Sequence, residues 1–135
     1  MSKLSSAIIR WSLSALFLWF GTQQLLHPAA WTVFLPEWTG YLPVPAEMFI
    51  RLNGWMEVVL GASMAAGIFV RLAAAVLGAH LCVIALSVGG AIGARDLALG
   101  IVTLALALSK PDAWSLDSRF PSAPRATAAT PTSST

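Results

Sequence analysis

Glu57 has the most chemistry to offer in this sequence, because it is a carboxyl group halfway along an apolar stretch running from about residue 45 to 69. Gly54 and Gly61 stand three residues before it and four after it, so the three share one helical face and Glu57 is aimed at a neighbouring helix rather than at lipid. An ionisable group inside a membrane span costs roughly 2.5–3.5 kcal/mol on insertion scales, so each one needs a reason. A carboxyl group held there could store or pass a proton. The plainer reading is a structural glutamate that fixes helix register. His80 lies about halfway along the apolar stretch 71–88 and so falls at a similar depth. It could meet Glu57 as a hydrogen-bonded pair, or it could be a satisfied core histidine. A haem would need a second axial ligand at that depth, and His27 sits at the outer end of its own stretch instead.

Arg95 and Asp96 enter the last apolar stretch from the same side at which Gln23 and Gln24 leave the first. With Glu57 and His80 they could line a polar pocket open to the outer leaflet and roofed by Trp31, Trp38 and Tyr41. On that reading Glu57 and His80 are the catalytic candidates, and Gln23, Gln24, Arg95 and Asp96 are the ligand-binding ones. The alternative is a loop ion pair that merely terminates helices. Glu47 and Arg51, four residues apart, are expected to pair with each other. Arg10 and Arg71 are expected to extend their guanidinium groups to lipid phosphates. Cys82 stands alone, which excludes an internal disulfide, a CxxC redox pair and a thiolate metal cage; it reads as a buried thiol, and no metal site is expected.

These groups require helices in lipid to position them. Of the 135 residues, 57% are apolar and 10% charged, against about 25% charged in soluble domains. A chain this short has too much surface to bury that apolar excess around one aqueous core. The expected fold is therefore all-α: an integral membrane four-helix bundle with spans at about 5–26, 45–69, 71–88 and 91–109, forming one domain over residues 1–110. His27-Pro28 ends the first span, which reads as retained rather than as a cleaved signal. The Trp- and Pro-rich stretch between the first two spans reads as a short aromatic segment at the membrane interface. Residues 111–135, rich in Ser, Thr, Pro and Ala, read as a polar tail, disordered beyond about Pro121. Lys and Arg near the span ends place both termini in the cytoplasm, with Arg95 the one dissenter. The expected partner is the lipid bilayer of a bacterial-type cell membrane. No basic run points to nucleic acid.

Three stretches carry a family likeness: Phe20-Gly21-Thr22-Gln23-Gln24-Leu25; Glu57-Val58-Val59-Leu60-Gly61 followed by Gly67 and Arg71-Leu72-Ala73-Ala74; and Arg95-Asp96 opening the last span. Together they resemble the DoxX family of small four-helix membrane proteins, over about residues 9–108. Family members commonly carry lysine where this chain has Gln24, so a lysine–carboxylate pair with Glu57 or Asp96 is absent and Arg95 is left as the nearby cation. The resemblance implies association with membrane oxidoreductases, including thiosulfate:quinone systems, and fixes fold better than activity.

The resulting expectation is an accessory or membrane subunit of a quinone-linked redox system, with a quinone head group in the polar pocket. A redox partner protein would supply electrons, because the sequence has no flavin, iron–sulfur or haem motif, so the chain is not a complete enzyme on its own. A non-catalytic scaffold or assembly factor and an oligomeric solute or proton permease are the alternatives.

Overall fold

The computed structural model describes residues 3–109 and 114–119, so the expected disorder of the distal tail lies outside the described residues. The described residues contain helices and no strand: α1 (Lys3–Leu26), α2 (Pro28–Trp31), α3 (Ala46–Ala66), α4 (Val70–Val88) and α5 (Gly90–Leu108). Short 3-10 turns at Thr32–Phe34 and Glu37–Tyr41 join α2 to α3, and another at Leu116–Arg119 follows α5.

Among the described residues, three segments are long and apolar enough to cross a membrane: Leu4–Leu26, Val70–Val88 and Gly90–Leu108. This is a membrane protein. The fourth long helix, α3, has 21 residues, but Glu47, Arg51, Asn53 and Glu57 dilute its apolar stretch. It stops at Ala66 rather than continuing to residue 69. Gly67 adopts the left-handed conformation (φ 74°) that closes a helix, and its N–H returns to the carbonyls of Met64 and Ser63.

The long helices form two tight pairs. α1 lies along α3, where a Cβ on Gly21 would come within 2.7 Å of the Gly54 carbonyl oxygen and one on Gly54 within 2.8 Å of that of Gly21. α4 and α5 form a hairpin about Gly89 and Gly90, and a Cβ on Gly93 would lie 2.5 Å from the Ala85 carbonyl oxygen. Such contacts need a missing side chain at the point of approach, the usual means of close helix approach in lipid. Far fewer contacts join one pair to the other. They are concentrated at one end, where Leu13, Phe17, Met64, Ala74, Leu77 and Leu106 make a shared core. The bundle is therefore solid at the end holding the chain's N-terminus and hollow at the other.

Backbone capping at the solid end corrects the reading of Arg10. Its side chain is completely buried and reaches no lipid phosphate. It donates to the carbonyls of Met64 (2.7 Å) and Ala65 (2.8 Å) in the last turn of α3, and to that of Trp114 at 3.5 Å. A cation satisfying the orphan carbonyls of a helix C-terminus also meets the negative end of its dipole. Arg71 is exposed but turns its Nε to the Ala107 carbonyl at 3.0 Å, capping α5 in the same way. Glu47 and Arg51 are both exposed and form no ion pair with each other.

The segment after α5 completes this end. Asp117 accepts the N–H of Phe69 on one carboxylate oxygen and that of Val70 on the other, each at 3.0 Å. The Ser115 hydroxyl and the Asp117 N–H both donate to the Gly67 carbonyl. The side chain of Phe69 supplies no cap for α4, so Asp117 provides it from a distant part of the sequence. Loss of a helix cap costs about 0.5–2 kcal/mol. Asp117→Ala should lower stability by that amount in detergent unfolding followed by circular dichroism, and Asp117→Asn, which keeps one acceptor, by less. An unchanged Asp117→Ala transition would show that α4 is capped without it.

Candidate functional site

Between the two helix pairs, at the hollow end, lies a cavity of about 340 Å³, within the roughly 300–1,000 Å³ range of small-molecule sites. Its walls are mostly apolar, with polar groups converging from α1, α3, α4 and α5. Trp31, Phe34 and Trp38 from α2 and the turns after it close its outer end. Edge-to-face contacts of Phe20 with Trp31 (5.5 Å) and of Trp38 with Phe49 (6.3 Å) hold that aromatic cover against α1 and α3. Tyr41, expected in the roof, is 90% exposed and lies outside it.

Glu57 is buried, with Gly54 and Gly61 buried on the same face of α3. Its carboxylate is held by two amides. Gln24 donates from Nε2 to Oε2 at 3.0 Å, and Asn53 donates from Nδ2 to Oε1 at 3.1 Å. Asn53 also donates to Gln24 Oε1 at 2.7 Å, closing a ring of three side chains across the α1–α3 contact. Each carboxylate oxygen thus has one neutral donor and no cation. The Asp96 carboxyl on α5 lies within electrostatic reach of Glu57.

His80 faces the same cavity from α4, yet it does not hydrogen-bond to Glu57. Its Nε2 is buried and has no hydrogen-bond partner among the described residues. Buried polar nitrogens are nearly always paired, so an unpaired one in a cavity wall calls for an explanation. Arg95 donates from Nε to Asp96 Oδ1 at 2.7 Å, and its guanidinium carbon sits 6.0 Å from the centre of the Phe20 ring. Arg95 is about half exposed and Asp96 nearly buried.

Of the six site residues read from sequence, Glu57, His80, Gln24, Arg95 and Asp96 line one cavity, and Gln23 does not. Gln23 is half-buried, one position off the face that Gln24 presents to Glu57. Asn53 went unnoticed, although it precedes Glu57 by one helical turn and is a polar amide in a mostly apolar helix. That spacing was the available signal. Cys82 lies outside the cavity, with its sulfur against Gly100 in the α4–α5 seam and only part of its surface covered.

The arrangement can bind a small, mostly apolar molecule and hydrogen-bond it at two places. His80 offers a ring nitrogen on one wall, and Glu57 with its amides offers proton-bearing and proton-accepting groups on another. In comparison with known proteins, the family model described as DoxX matches residues 5–90. No curated protein and no solved structure matches the chain.

Proposed function

The chain belongs to the DoxX family, and from that premise we propose that it is a membrane subunit or accessory protein of a quinone-linked redox system, with the head group of the quinone held in the cavity between the helix pairs. The observation that carries this reading is the buried Nε2 of His80, without a partner among the described residues, in the wall of a mostly apolar cavity. A quinone carbonyl accepts a hydrogen bond, and the corresponding hydroquinone hydroxyl donates one. A neutral imidazole nitrogen serves either form by exchanging tautomers.

In this reading His80 orients one oxygen of the head group. Glu57, held by Gln24 and Asn53, gives or takes the proton at the other. Arg95, balanced by Asp96, sets the local charge. Electrons come from a partner protein, and the chain itself supplies binding and proton transfer.

We place α3 across the bilayer as the fourth span of a bacterial-type cell membrane, with both ends of the chain on the cytoplasmic side. Arg10, Arg71 and the segment after α5 gather at the solid end of the bundle, whereas the aromatic cover at the other end has neither Lys nor Arg. The packed solid end leaves no continuous path through one copy of the chain, which weighs against a permease. A scaffold is the more serious rival, because the Glu57 ring satisfies itself without a ligand.

Glu57→Gln separates the two. The new amide at position 57 can close the ring in the reverse sense, donating to Gln24, which then donates to Asn53, which donates back to position 57. Folding is therefore retained while the proton-bearing group is lost. Mass spectrometry of small molecules co-purifying in mild detergent should find a quinone with wild type and little or none with Glu57→Gln. No quinone with either protein, at equal stability, would favour the scaffold.

A further inference from the structure

The cavity is not closed equally on its two flanks. On the α1–α5 side, the Arg95 guanidinium over the Phe20 ring spans the gap between the pairs. On the α3–α4 side no hydrogen bond or ring contact bridges the helices at the hollow end among the described residues. There, Val83 and Ser87 line the cavity and are exposed, Val83 by 55%. Exposed lining residues on a flank that no side-chain contact bridges mark an opening. The geometry follows from the fold: α3 and α4 are joined at the solid end by the tight turn Gly67–Phe69 and diverge from it.

This opening lies in the flank of a membrane helix bundle, beside lipid, while the aromatic cover faces the water side. Its edge is apolar at Val83, and the polar groups Glu57, Asn53 and His80 lie behind it. A molecule fitting that sequence of surfaces has a polar ring and an apolar chain. We propose that the cavity takes a lipid-borne, long-tailed amphiphile sideways from the bilayer through the α3–α4 seam, with the head at Glu57 and His80 and the tail trailing out past Val83. The assignment rests on the quinone reading for the identity of the head and on the seam alone for the tail and the route. A water-soluble small molecule entering through the aromatic cover is the arrangement it excludes.

The test uses full-length protein in lipid nanodiscs and three probes: a decyl-tailed benzoquinone, the tail-less parent quinone, and a phenol with the same decyl tail. Wild type is compared with Val83→Trp, which narrows the seam, and Ile92→Trp, which puts the same side chain into the cavity wall on α5. An indole ring standing in the seam should make Val83→Trp bind the tailed quinone about tenfold more weakly. It should leave the tail-less parent within about twofold, and Ile92→Trp should not reproduce that difference. Equal changes for tailed and tail-less quinone in Val83→Trp would overturn the seam and leave the quinone reading standing. A tailed phenol that binds as well as the tailed quinone, and is weakened likewise by Val83→Trp, would uphold the seam and remove the quinone. If none of the three probes binds, both fall.

Discussion

Arg10→Leu is expected to destabilise the folded protein by about 3–6 kcal/mol, the sum of two charge-assisted hydrogen bonds at about 1.5–3 kcal/mol each. The reason is geometric. Arg10 sits on α1, but the carbonyls it satisfies belong to Met64 and Ala65 at the end of α3, and a third, from Trp114, follows α5. Removing the guanidinium disconnects three parts of the chain and leaves a buried gap that leucine does not fill. Arg10→Lys should recover only part of the loss, because a single ammonium lacks the forked donors that reach several carbonyls at once. Unfolding in detergent and again in nanodiscs checks this. A full loss in both would establish the buried, capping role. Stability equal to wild type in nanodiscs would instead mean that the side chain serves lipid phosphates, as its position near the end of a span suggests.

Gly93→Val should cost about 1–3 kcal/mol or more, since overpacking a close helix contact forces the backbone itself to move. The first atom of the new side chain would lie 2.5 Å from the Ala85 carbonyl oxygen, and no flexible side chain is available to yield. The α4–α5 hairpin must open at its glycine turn, which widens the cavity wall formed by His80 and Asp96 as well. Gly40→Ala is the matched control, with nothing within 4 Å of the added atom, and should change stability by less than about 0.5 kcal/mol. Thermal unfolding and the fraction of monodisperse protein after detergent extraction report both effects. A Gly93→Val protein as stable as Gly40→Ala would mean that the two helices are not held at this distance in the membrane.

Some of this was legible in the sequence, for identifiable reasons. The inward face of α3 follows from the spacing of Gly54, Glu57 and Gly61, and periodicity survives without knowledge of the neighbours. The gathering of Gln24, His80, Arg95 and Asp96 follows from their lying in the half of each helix nearer the same side, since successive long helices run antiparallel. Depth, however, says nothing of partners. His80 and Glu57 line one cavity but share no hydrogen bond, and Glu57 is held by Gln24 and Asn53 instead. Arg10 and Asp117 were unreadable for a related reason: each serves backbone groups, which every residue carries and no sequence pattern marks. Their roles exist only once one helix end lies beside another segment.

The cap that Asp117 gives to α4 also has a consequence in time. A chain made from its N-terminus exposes the first N–H groups of α4 long before residue 117 has been synthesised, and Gly67 at the end of α3 waits likewise for Ser115, as Arg10 does for Trp114. Domains generally assemble as the chain emerges, yet here the caps that tie the two helix pairs together cannot form until almost the last described residue is made. The pairs α1–α3 and α4–α5 can each zip early and meet through their shared core, while the caps that lock their relative setting come at the end of synthesis. A nascent chain stopped before residue 114 would hold both halves of the site and lack the fastening that holds them together.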